Sequence, residues 1–225
     1  MHIPDGLMHP LILLLGWILS IVALSIALKK VKKTLNEDRM VFMALMGAAI
    51  FMAQMLNFPI GGGTTGHLIG ASLAVFLFGA YEAMIMMCVI LVIQCLLFGD
   101  GGITALGLNL LNMAVIAPLV SAGTLKLFPV RWEMAGLPVA AWASVFLAAV
   151  ACAFELGLSN IISSSYGIPM AVSLTAMSGY HALIGIGEAI ISSAAGIPLK
   201  KMFLKETGKE LREEKEVIAA GGEQI

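Results

Sequence analysis

The sequence predicts an all-α integral membrane protein with seven transmembrane helices. Three observations carry that expectation. Of 225 residues, 60% are hydrophobic and only 12% are charged, where a soluble domain carries about twice that charged share. Mean hydropathy is +0.97. The apolar residues also gather into runs near the roughly 20 residues that cross a bilayer as a helix. Lys+Arg 13 against Asp+Glu 14 leaves no cationic excess for nucleic acid.

The runs fall at about 9–28, 40–58, 67–80, 82–98, 102–127, 135–157 and 171–199. The first follows the opening MHIPDGLMHP and stops at Lys29, Lys30, Lys32 and Lys33. The second is rich in small residues, with Ala44, Gly47, Ala48 and Ala49. Only the Gly79–Glu82 turn divides the third from the fourth. The third is short for a full crossing and suits a helix that begins within a re-entrant loop. The fifth carries GLNLLNMA, the sixth ends near Glu155, and the last holds Gly179, Gly185 and Gly187. Small residues let helices approach closely in lipid, where packing drives association. The polytopic domain is expected over 1–204, with a charged cytoplasmic tail at 205–225 that forms a fraying surface helix.

Basic residues set the orientation in the membrane. The linker KKVKKTLNEDR, the pair Lys126 and Arg131, and the trio Lys200, Lys201 and Lys205 fall on one side of a seven-span chain. That side is expected to be cytoplasmic, with the carboxyl terminus there and the amino terminus outside. Residues 1–8, 57–67, 98–102 and 158–169 then share the outer face. MHIPDGLMHP has no Lys or Arg, so it lacks the basic region of a cleaved leader. A bulky second residue should also keep Met1 in place.

An intact Met1-His2 start offers three nitrogens in succession: the α-amine, the His2 main-chain nitrogen and its imidazole Nδ1. Chelation through them closes a five-membered and then a six-membered ring. With the amide deprotonated the three lie nearly in a plane, which suits square-planar Ni(II) or Cu(II) and leaves one corner open. His67, delivered by Gly61-Gly62-Gly63-Thr64-Thr65-Gly66, lies on the same outer face and is expected to fill it. The metal ligands expected are therefore Met1, His2 and His67. The glycine run lacks the GK[ST] ending of a phosphate loop. Asp5, Thr64, Thr65 and Asn109 are candidates to orient the rings; Asp5 and Gly6 alternatively turn the chain into the first helix. Such binding needs neutral imidazoles and releases the amide proton, so affinity should collapse in acid.

Other polar residues have plainer readings. His9, before Pro10, suits a capping or interfacial role rather than ligation. Cys88, Cys95 and Cys152 lie in apolar runs without CxxC spacing and read as small buried hydrophobes. Met84, Met86 and Met87 read as flexible packing rather than a Cu(I) path. His181 and Glu188 share a face of the last helix. With Glu155 they are intramembrane ionisable groups, either paired structurally or forming a proton relay.

MHIPDG at residue 1, the loop ending GHLIG, and GLNLLNMA together resemble the substrate-binding membrane subunit of nickel/cobalt energy-coupling-factor transporters, the CbiM/NikM family. The likeness covers essentially the whole chain. It implies a six-helix substrate-subunit bundle with an extra amino-terminal helix, and an ion held by the amine of Met1, the amide and imidazole of His2, and His67. It implies Ni2+ or Co2+ as transported substrate, with no organic cofactor. It also implies a transmembrane coupling subunit, cytoplasmic ATPase subunits and a small accessory membrane subunit as partners. Ala44 and Ala48 are the candidate contacts for the coupling subunit, and the PDG form rather than MEG favours nickel. The resemblance further implies release inward as the subunit tips within the membrane. No Walker A sequence is present, so ATP hydrolysis is expected on the partners and the chain is not expected to be an enzyme. The alternative is a proton-coupled secondary transporter of a divalent metal using His181, Glu188 and Glu155, although no inverted repeat supports it. An intramembrane hydrolase would need HExxH or a paired nucleophile and base, and neither occurs.

Overall fold

The structure, a computed structural model, describes residues 1–33, 35–60 and 64–221, and for residues 58, 60, 130 and 203–221 the backbone alone. The expected glycines Gly61, Gly62 and Gly63 and the terminal stretch 222–225 lie outside the described residues.

The first helix, α1 (Pro10–Val31), opens on a proline whose missing N–H costs nothing there. His9 caps it, its ring accepting the Leu11 N–H at 3.3 Å, as expected. Lys29 and Lys30 close it where the helix dipole favours cations. Asn36 caps α2 (Glu37–Gln54), accepting the Arg39 N–H at 2.9 Å, and Glu37 and Asp38 sit in the first turn. A two-stranded antiparallel hairpin follows, β1 (Phe58–Ile60) and β2 (Thr64–Gly66), with Pro59 opposite Thr65. The hairpin takes up the end of the second apolar run and the start of the third. Helix α3 (Ala71–Phe78) therefore begins at residue 71 rather than 67, after Gly70 at φ +76°.

Gly79, at φ +99°, separates α3 from α4 (Ala80–Phe98). Then α5 (Leu106–Leu110), a π-helical turn (Leu111–Ile116) and α6 (Ala117–Lys126) form one rod. Helix α7 (Glu133–Ile162) returns along the bundle, and α8 (Met170–Gly221) ends the described chain. Helix α8 continues through Gly221 without a break at residues 204–205.

Among the described residues, five helical segments are long and apolar enough to cross a membrane: Pro10–Val31, Ala80–Phe98, Leu106–Lys126, Glu133–Ile162 and Met170–Met202. The other two expected spans differ for physical reasons. Helix α2 carries three charges, Glu37, Asp38 and Arg39, in 18 residues, and α3 has only eight residues.

The core is built from small side chains on α7, where Ala140, Ala141, Ala148, Ala149, Cys152 and Ala153 are buried, so α8 packs closely along it. Ser173 joins the two helices by donating to the Ala153 carbonyl at 3.0 Å. The short α3 sits inside this frame with cations at its carboxyl end. Arg39 donates to the Phe78 carbonyl at 2.6 Å and Lys200 to the Phe76 carbonyl at 2.8 Å. Both complement the negative end of the helix dipole.

Candidate metal site

The opening residues do not lie on the surface. Met1 is 0% exposed, His2 3% and His67 2%. The start is threaded between the hairpin and α5 as a clamped extended segment. The Met1 amine donates to the Thr65 carbonyl and, at 3.3 Å, to the Thr65 hydroxyl oxygen. That same oxygen accepts the His2 N–H at 3.2 Å. Asn109 grips the next residue at both ends, accepting the Ile3 N–H at 2.8 Å and donating to the Ile3 carbonyl at 3.2 Å. The Gly102 N–H reaches the same carbonyl at 2.9 Å. The clamp needs glycine beside it: a Cβ on Gly101 would sit 2.8 Å from Asn109 Nδ2 and 3.3 Å from His2 Nδ1.

The two imidazoles meet. The rings of His2 and His67 stack with centroids 4.6 Å apart and planes inclined by 26°. His67 Nδ1 lies 2.7 Å from the Leu68 carbonyl. A carbonyl only accepts, so Nδ1 carries the proton and Nε2 presents a lone pair. His67 Nε2 is buried with no hydrogen-bond partner, as is His2 Nε2. Burial costs such groups free energy, so paired orphans at one place call for an explanation. On the far side of the His2 ring, Asp100 Oδ2 stands 3.5 Å from Nε2 and accepts from Asn57 Nδ2 at 2.7 Å.

Burial also sets the protonation state. It lowers the Met1 amine from 8.0 to about 5, although Cys152 and Asp100 pull the other way. It lowers His2 to about 3, helped by the nearby amine charge. His67 is held well below the usual histidine range by burial, then by the amine and His2. Burial thus favours the unprotonated form of all three groups, the form that metal coordination requires. Asp100 is raised by burial, opposed by the amine and the Asn57 bond.

No group of three or more His, Cys, Asp or Glu able to hold an ion occurs among the described residues. The convergence here is instead of an amine, a main-chain nitrogen and two imidazoles.

The four expected ring-orienting residues act otherwise. Thr65 and Asn109 hold the backbone of residues 1–3, not the rings. The Thr64 hydroxyl points at the Thr65 carbonyl at 3.5 Å. Asp5 is turned away: its carboxylate accepts the Ile103 N–H at 3.0 Å and the Thr104 N–H at 2.7 Å. The Thr104 hydroxyl, first, and these amides hold the Asp5 carboxyl below its usual range. Asp5 thus fastens the start to the 103–104 turn, close to the alternative role given to it. Asp100 is the residue that the sequence reading missed. Its only signal was a carboxylate between glycines in FGDGG, on the same expected face.

The remaining candidates separate. Glu155 accepts from Asn112 Nδ2 at 2.7 Å. His181 is buried with Nδ1 on the Met177 carbonyl at 2.9 Å and Nε2 unpartnered. The Glu188 carboxylate accepts the Ile69 and Gly70 N–H groups at 2.8 and 2.6 Å. Met84, Met86 and Met87 are buried in α4, and Cys95 and Cys152 are buried while Cys88 is half-buried. Ala44 and Ala48 are exposed, beside Gly47 in an apolar groove between α2 and α4.

Residues 2–202 match the family CbiM, described as "Cobalt uptake substrate-specific transmembrane region". The chain belongs to the CbiM/NikM family. This family member is a metal-uptake component of the membrane. It is 38% identical over 193 residues to a putative metal transport protein of Haloquadratum walsbyi, covering 86% of this chain and 87% of that one. It is 39% identical over 193 residues to a putative fused nickel transport protein NikMN of Archaeoglobus fulgidus, covering 86% of this chain but only 63% of that longer protein. A crystal structure of a transition metal transporter superposes with TM-score 0.86 at 34% identity, covering 94% of this chain and 100% of that one.

Proposed function

We propose that this CbiM/NikM-family chain is the ion-capture subunit of an ATP-driven energy-coupling-factor importer, taking Ni2+ or Co2+ outside the membrane. The carrying observation is the convergence of the buried Met1 amine with two stacked imidazoles, of which His67 presents a buried Nε2 that has no partner. In this reading the amine of Met1, the deprotonated nitrogen of His2 and its Nδ1 take three corners of a plane, and His67 Nε2 takes the fourth. His2 Nε2–H then faces Asp100, a carboxylate–histidine–metal arrangement that fixes the ring. Four nitrogens in a plane favour Ni(II) over Co(II), consistent with the Irving–Williams order.

Orientation, span count and partners are also part of the proposal. We take the cationic carboxyl end of α3, at Arg39 and Lys200, as the cytoplasmic side, so that the site would face outside and the carboxyl terminus inside. The proposed count of seven includes α2 and α3 among the crossing helices. A transmembrane coupling subunit would seat against the groove at Ala44 and Ala48, with ATPase subunits below it and a small accessory membrane subunit beside it. The fused nickel transport protein of Archaeoglobus fulgidus, which extends beyond the matched region, fits an added component. Inward release would follow tipping of the bundle.

Titration of Ni(II) into detergent-purified chain with a native start tests the capture reading. One ion should bind, and His2→Ala, His67→Ala or acetylation of the amine should each weaken binding by at least about 100-fold. Undiminished binding after acetylation would remove the amine from the site.

A further inference from the structure

Glu188 is a carboxylate in the interior of the bundle, 2% exposed, on a helix that contributes none of the proposed ligands. Both of its oxygens are committed. Oε2 accepts the Ile69 N–H at 2.8 Å and Oε1 the Gly70 N–H at 2.6 Å. Those amides belong to the segment that carries His67 into α3. The first amides of a helix have no intrahelical acceptor, and no side chain of its own segment caps α3. Glu188 supplies that cap from α8 and places its charge at the positive end of the α3 dipole. With Arg39 and Lys200 at the other end, the short helix is held by opposite charges at both termini.

The same turn is held from α2. Gln54 donates to the Ile69 carbonyl at 2.5 Å, and Gln94 donates to Gln54 at 2.9 Å. Ile69 is thus fixed through both its N–H and its carbonyl, two residues after His67. His67 in turn is oriented by the Leu68 carbonyl, between the ring and the anchor. A chain of short, buried bonds runs from α8 through residues 69 and 68 to the imidazole. Nothing comparable touches His2, whose support comes from Thr65, Asn109 and Asp100.

We infer that Glu188 is a positioning residue for metal capture, holding the His67 corner of the coordination plane in register with the amino-terminal chelate by capping α3 from α8. This rests on the capture reading above. Loss of the Glu188 charge should free the His67 corner and leave the three-nitrogen chelate of Met1 and His2 intact.

The test uses full-length chain with a native start, loaded with Cu(II) for its visible spectrum and titrated separately with Ni(II). Replacing one nitrogen of a square-planar Cu(II) site by water weakens the ligand field and moves the d–d band to longer wavelength. Glu188→Gln keeps the side-chain size and should show the red-shifted band of His67→Ala, with Ni(II) affinity reduced about 10- to 100-fold. The double variant E188Q/H67A should bind no more weakly than H67A, because the corner is already lost. Glu188→Asp, with a shorter reach, should lie between wild type and E188Q. A wild-type band and affinity in E188Q would overturn the inference, and so would an E188Q loss of equal size in the H67A background. A wild-type chain without a four-nitrogen band would instead sink the capture reading itself.

Discussion

Proton release on metal binding tests the site most sharply, because burial and coordination make opposing demands on the same amine. An exposed amine at its ordinary 8.0 is about 90% protonated at pH 7. The Met1 amine, lowered by burial to about 5, is about 99% neutral there. His2, lowered to about 3, is neutral as well. Chelation through the His2 nitrogen must still expel the amide proton. Ni(II) binding between pH 6 and 8 should therefore release about one proton per ion, so affinity rises about tenfold per pH unit. Below pH 5 the amine adds a second proton and the slope steepens.

The sign for the metal-free fold is the same. A group whose folded value is depressed gives stability that is full above pH 8.0 and lost as the pH falls through about 5. At about 1.4 kcal/mol per pH unit, that interval amounts to roughly 4 kcal/mol of resistance to keeping the start tucked in. Calorimetric titration in buffers of different ionisation enthalpy counts the protons. Release of nearly two at pH 7 would mean an amine that is exposed before binding. Release of none would mean an intact amide and no planar chelate. Either result refutes the reasoning.

Other substitutions separate the supports from the ligands. Asp100→Asn should weaken Ni(II) binding about tenfold while keeping the four-nitrogen Cu(II) band, since it alters what the His2 ring leans on and no proposed ligand; a lost band would make Asp100 a ligand. Asn109→Ala leaves the buried Ile3 N–H unsatisfied, so the metal-free protein should lose about 1–3 kcal/mol by denaturation in detergent. An unchanged midpoint would remove Asn109 from the clamp. Gly101→Ala introduces a Cβ against Asn109 and His2 at a φ of +87°, so it should weaken Ni(II) binding at least about tenfold. Wild-type affinity there would show that the start need not lie as tightly as it does.

The sequence alone determined a good deal, because membrane class, helix order and chelate chemistry are local properties. Long apolar runs declare themselves without neighbours. Met1 and His2 are adjacent, so their ring-closing geometry follows from covalent structure. His67 was singled out by its glycine-rich approach and its expected face, and the structure brings its ring against that of His2. The strand pair at 58–66 was not legible, because strand pairing depends on a partner. Nor could the supporting contacts be read. Asp5 looked like a ring partner and instead ties down the 103–104 turn, while Asp100, 98 positions away from His2, stands beside the ring. Glu188 and Ile69 are 119 residues apart, and only the packing of α8 against α3 brings the carboxylate to the amides. Chain chemistry thus decides which atoms are able to bind an ion. Tertiary packing decides which of them are buried, neutral and held still, because desolvation and hydrogen-bond reach are properties of neighbours in space.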